Sequence, residues 1–251
     1  MTKRVVLQRY RGSLLGVAWS VAHPLLMLSV YTFVFTVVFK ARWGVGSEGG
    51  FGRGAFAVIM FCGMAIYNLF SESVVGSCLC VVASPNLVKK VVFPLEILPL
   101  AQVCATFVLG LAWLLLLFFG ALLLVGGVSA TMLLLPLLVL PLFAFSLGVS
   151  YLVAALGVYL RDLQHLLGVV LQVLFFATPI FYPLEAVPAR FRTLLALNPL
   201  TVFIEQTRGV LFFGRLLDWT FFGLASLISL LALQFGFVCF AKAKRGFADV
   251  L

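Results

Sequence analysis

The chain alternates between long uncharged apolar runs and short clusters of charge. Residues 12–39 form an uncharged stretch of 28 residues that follows Lys3, Arg4, Arg9 and Arg11. A helix that crosses a bilayer needs about 20 apolar residues. The pattern therefore predicts a first span at 24–39, with Trp19 at the interface and apolar character reaching back to Leu14. A second is predicted at 55–82, interrupted by Glu72. The next run, 97–160, is uncharged over 64 residues, too long for one crossing at a rise of about 1.5 Å per residue. Gly126-Gly127-Val128-Ser129 divides it, which predicts two helices in a tight hairpin. A fifth span is expected at 163–182 and a sixth at 219–241.

Two segments fit no crossing. Near the start, Arg4, Gln8 and Arg11 fall on one helical face and Leu7, Tyr10 and Leu14 on another. That pattern predicts an amphipathic helix lying in the interface, with residues 1–16 as helix and turn. Residues 185–218 carry Ala189-Arg190-Phe191-Arg192, an apolar stretch, the turn-forming pair Asn198-Pro199 and a second apolar stretch at 201–213. Two short apolar helices about such a turn make a re-entrant hairpin on the periplasmic side, a path tolerated at membrane depth only against protein or a cavity. The expected fold is all-α and integral to the membrane: one domain over 1–251, six transmembrane helices, an interfacial helix and a re-entrant hairpin between spans five and six.

Composition agrees. The chain is 64% hydrophobic and 10% charged, against about 45–50% and about 25% in soluble domains. The first apolar run is longer than the h-region of a signal peptide, about 7–15 residues, and has no clean small-x-small cleavage site, so it is expected to remain as a span. The net charge of +9 falls between the apolar runs, where basic residues set orientation and meet anionic headgroups; no nucleic acid partner is expected. Six spans place both termini on one side. That side holds Lys3, Arg4, Arg9, Arg11, Lys89, Lys90, Arg161, Lys242, Lys244 and Arg245, ten in all, against seven on the other, which predicts cytoplasmic termini. The five cysteines are odd in number and lie in apolar segments, so they read as small core residues rather than metal ligands or a redox pair.

The sequence contains no phosphate-binding Walker loop, paired-histidine motif, metal-ligand spacing or nucleophile elbow. His23 and His165 read as packed or interfacial. Glu72, in the inner half of the second span, is the only candidate for a mid-membrane acid of the kind ion-coupled carriers use; the sequence makes no basic partner obvious, and Glu72 reads as structural, satisfied by neighbouring serine or backbone groups. Aromatic residues offer a choice. Tyr31, Phe35 and Phe39 recur every four residues, and Phe175, Phe176, Phe181 and Tyr182 cluster at the outer end of the fifth span. These positions serve helix packing or lipid contact, or they line a glycan path on which sugar rings stack.

Several strings resemble a family. They are RYRGSLLGVAW at 9–19 with HPLL at 23–26, YTFVF at 31–35 with VFKARW at 38–43, NLVKKVVFP at 86–94, YLRD at 159–162, and NPL at 198–200 with RG at 208–209. They resemble the membrane (permease) subunit of polysaccharide ABC exporters in the type-2 ABC transporter superfamily. The nearest type is the O-antigen exporter permease of lipopolysaccharide biosynthesis, with capsule and teichoic acid exporters as relatives. Members carry a longer stretch before the first motif than the eight residues that precede Arg9 here, which implies a short interfacial helix or a start further upstream.

The resemblance implies a homodimeric channel in the bacterial inner membrane. Each copy docks a separate ATP-binding subunit, which holds the ATP and Mg; no cofactor is implied for this chain. The implied cargo is a long glycan on undecaprenyl pyrophosphate. The Leu15-Gly16 turn matches the region that meets the lipid-linked pyrophosphate, with Arg9 and Arg11 as phosphate partners, since guanidinium binds phosphate bidentately. Asn86, Lys89, Lys90, Arg161 and Asp162 fall in the elements that touch the ATPase. Asn198, Pro199 and Arg208 fall in the outer gate. An ABC exporter of drugs or small lipids shares this architecture without needing sugar stacking. A glycan polymerase would need a cluster of acids or arginines at one face, and a scaffold needs neither.

Overall fold

The structure is a computed structural model that describes residues 1–9, 16–38, 53–85, 87, 93–125, 130–160 and 162–250. Every regular element among them is helical. In chain order they include α1 (Thr2–Arg9), a 3-10 turn at Gly16–Ala18, α2 (Trp19–Thr32), α3 (Arg53–Cys78), α4 (Ile97–Val125), α5 (Leu135–Tyr159), α6 (Leu163–Phe176), α7 (Ala189–Ala196), α8 (Pro199–Phe212), α9 (Trp219–Ala243) and α10 (Phe247–Val250). Among the described residues, four helical stretches are long and apolar enough to cross a membrane: Phe56–Cys78, Ile97–Leu123, Thr131–Tyr159 and Trp219–Gly246.

The two remaining predicted spans differ in detail. The first helix starts at Trp19, and Pro24 lies inside it, where its missing N–H removes one ladder bond. Beyond Thr32 the helix widens without a break into a π-helical stretch, Phe33–Val38. The fifth apolar run is helical only to Phe176. Thr178 precedes Pro179, and a residue before proline is pushed out of the α region, so 177–182 turn instead. Apolar composition continues through this break, which is why hydropathy alone runs the helix on to Tyr182. The hairpin expected within 97–160 is present as α4 and α5, with a 3-10 turn Ala130–Leu134 leading into α5.

α3 is the central helix. From Phe56 to Phe70 it is buried at every described position except Asn68, with α2, α4, α5, α6 and α8 around it. Among apolar lipids, burying apolar side chains between helices gains little transfer free energy, so close contact and hydrogen bonds decide association. The α5–α9 pair shows the first. A Cβ on Gly148 would lie 2.5 Å from the Ala232 backbone, and one on Gly236 would lie 2.1 Å from the Gly148 carbonyl oxygen. The hydroxyls show the second. Ser73, Thr207 and Ser229 donate to the carbonyls four residues back, at 2.6, 2.7 and 2.7 Å, and Ser150 crosses from α5 to the Ser73 carbonyl at 3.2 Å.

Candidate functional site

At the end of the bundle where α6 stops, one arginine joins three elements. Arg208 lies in α8 and is 1% exposed. Its guanidinium donates to the carbonyls of Pro179 at 2.7 Å, Ile180 at 2.7 Å and Ile59 at 3.3 Å, and pairs with Glu205 at 2.8 Å. The break after α6 leaves carbonyls without helical partners, and Arg208 supplies the donors. Gly63 on α3 makes room, since a Cβ there would meet the guanidinium at 2.9 Å. Asn198 caps α8: its side-chain oxygen accepts from the Leu200 N–H at 3.1 Å, and its amide donates to Thr178 at 3.1 Å. Pro199 occupies the first helical turn, where a missing N–H costs nothing. Gly214, with φ 59°, turns the chain after α8, and Gln206 brackets the Asp218 backbone before α9 begins. All three predicted gate residues thus belong to one bonded corner.

The aromatic residues predicted for a glycan path converge in part. Tyr31 of α2 meets Phe181 with ring centroids 5.9 Å apart. Phe175 meets Phe181 at 5.2 Å and Phe176 at 5.5 Å. The Tyr182 hydroxyl donates to the Phe176 carbonyl at 3.0 Å. Phe176 is 61% exposed. Tyr67 of α3 was not picked out from the sequence; it packs edge-on to Phe175 at 5.0 Å and donates its hydroxyl to the Leu171 carbonyl. Phe39 and the side chain of Phe35 lie outside the described residues.

Among the described residues, two cavities lie against α3. The smaller, about 350 Å³, lies among α2, α3 and α4 and is lined by His23, Asn68, Glu72, Thr106 and Trp113, among others. The larger, about 910 Å³, lies under α1 against α3 and α4, and its walls include Arg4, Glu72 and Gln102. Glu72 lines both. Between α1 and α2, Gly16 has φ +50° with open space around its missing Cβ. Arg9 ends α1; Arg11 and Leu15 lie outside the described residues.

The opposite end of the bundle carries the chain's tail. Asp162 opens α6 without a side-chain cap, while Asn86, Lys89, Lys90 and Arg161 lie outside the described residues. Nearby, Lys244 at the end of α9 pairs with Glu96 just before α4. Burial pushes the Glu96 carboxyl up, but the Lys244 ammonium and backbone hydrogen bonding outweigh it and hold the group below its usual value of 4.5. Phe247 is fully buried against Phe240 and Tyr159, and the Tyr159 hydroxyl donates to the Ala243 carbonyl at 2.8 Å. The Glu96–Lys244 pair spans 148 residues and left no local sequence signal.

Long apolar helices, hydroxyls turned back onto carbonyls and a buried arginine serving a helix break define a polytopic helical membrane protein. The chain belongs to the ABC-2 type transporter family, which matches residues 1–212, through the last residue of α8. It is a permease, the membrane component of such a transporter. It is similar to the O-antigen export system permease protein RfbA of Klebsiella pneumoniae, 27% identical over 255 residues that cover 100% of this chain and 93% of that protein. A Myxococcus xanthus protein of the same name is 33% identical over 225 residues, 87% of this chain and 81% of its own length.

Proposed function

We propose that this permease is the transmembrane subunit of an ATP-driven exporter that moves undecaprenyl-pyrophosphate-linked polysaccharide of the O-antigen type outward across the bacterial inner membrane. The observation that carries the reading is similarity along the whole chain to permeases named for O-antigen export. The chain works as a homodimer and receives its energy from a separate ATP-binding subunit docked beside Asp162. Both termini face the cytoplasm. Six crossings follow if α2 and its π-helical continuation, 20 residues in all and about 30 Å long at 1.5 Å per residue, make the first. α6 is only 14 residues long, about 21 Å by the same rise, so it crosses with the help of the 177–182 turn that Arg208 holds. α7 and α8 then dip back as the re-entrant outer gate. The aromatic cluster about Phe175 and Tyr31 is the surface on which sugar rings stack.

Deleting the gene in its host tests the reading. Surface polysaccharide is expected to disappear while lipid-linked polysaccharide accumulates inside, and re-expression with the ATP-binding subunit is expected to restore export. Purified together, the two proteins are expected to form a two-plus-two complex whose ATPase activity is absent from the isolated permease. Unchanged surface polysaccharide in the deletion strain overturns the cargo; ATP hydrolysis by the isolated permease overturns the division of labour.

A further inference from the structure

We propose that the segment after α9 is a strap that ties together two segments meeting the ATP-binding subunit, so that a push on either moves both; the inference rests on the reading above of a separate ATP-binding subunit docked at this end. The strap consists of a 3-10 turn, Lys244–Gly246, and α10. It lies beyond residues 1–212, the part that matches the family. The two segments it joins are far apart in sequence. Tyr159 opens the string YLRD, and Glu96 follows the string NLVKKVVFP by two residues. These strings hold Asn86, Lys89, Lys90, Arg161 and Asp162, for which the resemblance implies contact with the ATPase.

The contacts close on themselves. Lys244 pairs with Glu96, whose backbone carbonyl accepts from the Tyr151 hydroxyl of α5 at 3.2 Å. The Tyr151 ring meets Phe240 with centroids 5.5 Å apart, Phe240 meets Phe247 at 5.5 Å, and Phe247 meets Tyr159 at 5.9 Å. The Tyr159 hydroxyl donates to the carbonyl of Ala243, the residue before Lys244, at 2.8 Å. Gly246 lets the strap lie against this ring, since a Cβ there would fall 2.8 Å from the Tyr159 oxygen. The ion pair is partly open to solvent and holds little alone. Phe247 is fully buried, and burial of its ring supplies most of the hold. The ion pair instead selects which residue before α4 is held. Beneath the strap, the backbones of α5 and α9 approach closely at Gly148 and Gly236. Close-packed elements compress little and transmit strain. A push on 159–162 or on 93–96 therefore passes into the α5–α9 pair and, through Ile97, into α4.

The test uses the full chain with its ATP-binding subunit, in the deletion strain at matched protein levels and as the purified complex. Phe247→Ala is expected to lower surface polysaccharide about tenfold, within what losing a buried phenyl ring allows, while the complex still assembles and hydrolyses ATP at the parent rate. Glu96→Lys and Lys244→Glu each set like charges together, and each is expected to lower export about threefold, in keeping with a partly exposed pair. The double swap remakes the pair and is expected to restore export, as a tie between two segments requires and two separate roles do not. These positions are partly exposed, so the charge variants decide the matter if Phe247→Ala lowers protein yield. Amide exchange in the isolated permease reads the strap apart from cargo: peptides covering 93–98 and 159–162 are both expected to exchange faster in Lys244→Glu and to recover in the double swap. Failure of the unmodified permease to form a complex with the ATP-binding subunit overturns the reading beneath the strap. A normal complex with full export by the single variants, no recovery in the double swap, or unchanged exchange at both stretches overturns the strap alone.

Discussion

Arg208 Nη2 donates to the Ile180 carbonyl at 2.7 Å, so a side chain of α8 completes the backbone where α6 has broken. The same guanidinium also reaches Pro179, Ile59 and Glu205. Breaking a buried charged network by removing one partner costs about 3–5 kcal/mol. Arg208→Ala is therefore expected to destabilise the protein by about that amount, measured as a lowered thermal midpoint in detergent. Arg208→Lys keeps the charge but loses the planar fork and is expected to fall between the two. A lysine variant as stable as the parent would show that charge alone, without the fork, holds the corner.

The same residue shows where sequence reading reaches and where it stops. Counting charges treats every arginine as water-facing, and on that basis Arg208 contributes only to the orientation bias. Its burial follows from the break at Pro179, because exposed carbonyls in an apolar setting require donors. Two local signals were available: the three-residue spacing from Glu205 to Arg208, and Thr178-Pro179 inside an apolar run. The long apolar helices were legible because their period and length are local properties. The meeting of Tyr31 with Phe181 was not, because it depends on how α2 lies against the turn after α6. Glu96 and Lys244 were invisible for the same reason.

The α5–α9 contact makes a prediction about glycine. Gly148 and Gly236 let two backbones approach until a single added carbon has no room, and Ala144/Gly148 and Ala232/Gly236 repeat the four-residue small-residue spacing of close helix pairs. Gly236→Ala is expected to cost about 1–3 kcal/mol through overpacking, because the atoms it meets are backbone and cannot swing aside. Gly223 lies in the same helix with nothing within 4 Å of its Cβ position. Gly223→Ala is expected to be neutral, or stabilising by up to about 1 kcal/mol from helix propensity. Thermal midpoints of the two variants check this, and equal effects would discard the close-approach argument.

The Glu96–Lys244 pair sets a pH dependence. Although burial raises the Glu96 carboxyl, Lys244 holds it below 4.5 in the fold. A depressed folded value means that the pair's contribution is present above the unfolded value and is lost as pH falls through the folded one. Solvent screens the pair, since the Lys244 side chain is 39% exposed, and its contribution is about 0.2–1 kcal/mol. The stability difference between the parent and Glu96→Gln is expected to stay constant at pH values well above 4.5 and to close below it. A difference that persists with the carboxyl protonated would assign the loss to packing instead.

Arg9, Arg11 and Gly16 carry the prediction that bears most directly on cargo. The resemblance implies a lipid-linked pyrophosphate beside this turn, and two arginines precede it. Gly16 has φ +50° and no neighbour near its Cβ position, so the turn depends on glycine for its backbone conformation rather than for space; a left-handed conformation costs another residue about 1–2 kcal/mol. Gly16→Leu therefore distorts the turn whether or not a phosphate sits there, and the arginines give the cleaner test. If they only attract anionic lipid, lysine serves as well, because the charge is kept. If they grip a pyrophosphate through paired donors, lysine does not reproduce the grip. Arg9→Lys and Arg11→Lys are expected to leave membrane insertion and binding to the ATP-binding subunit unchanged. At least one is expected to reduce surface polysaccharide about tenfold, the effect of losing one charge-assisted hydrogen bond, with lipid-linked polysaccharide accumulating inside. Normal surface polysaccharide in both variants at matched protein levels would remove the phosphate grip while leaving the permease assignment intact.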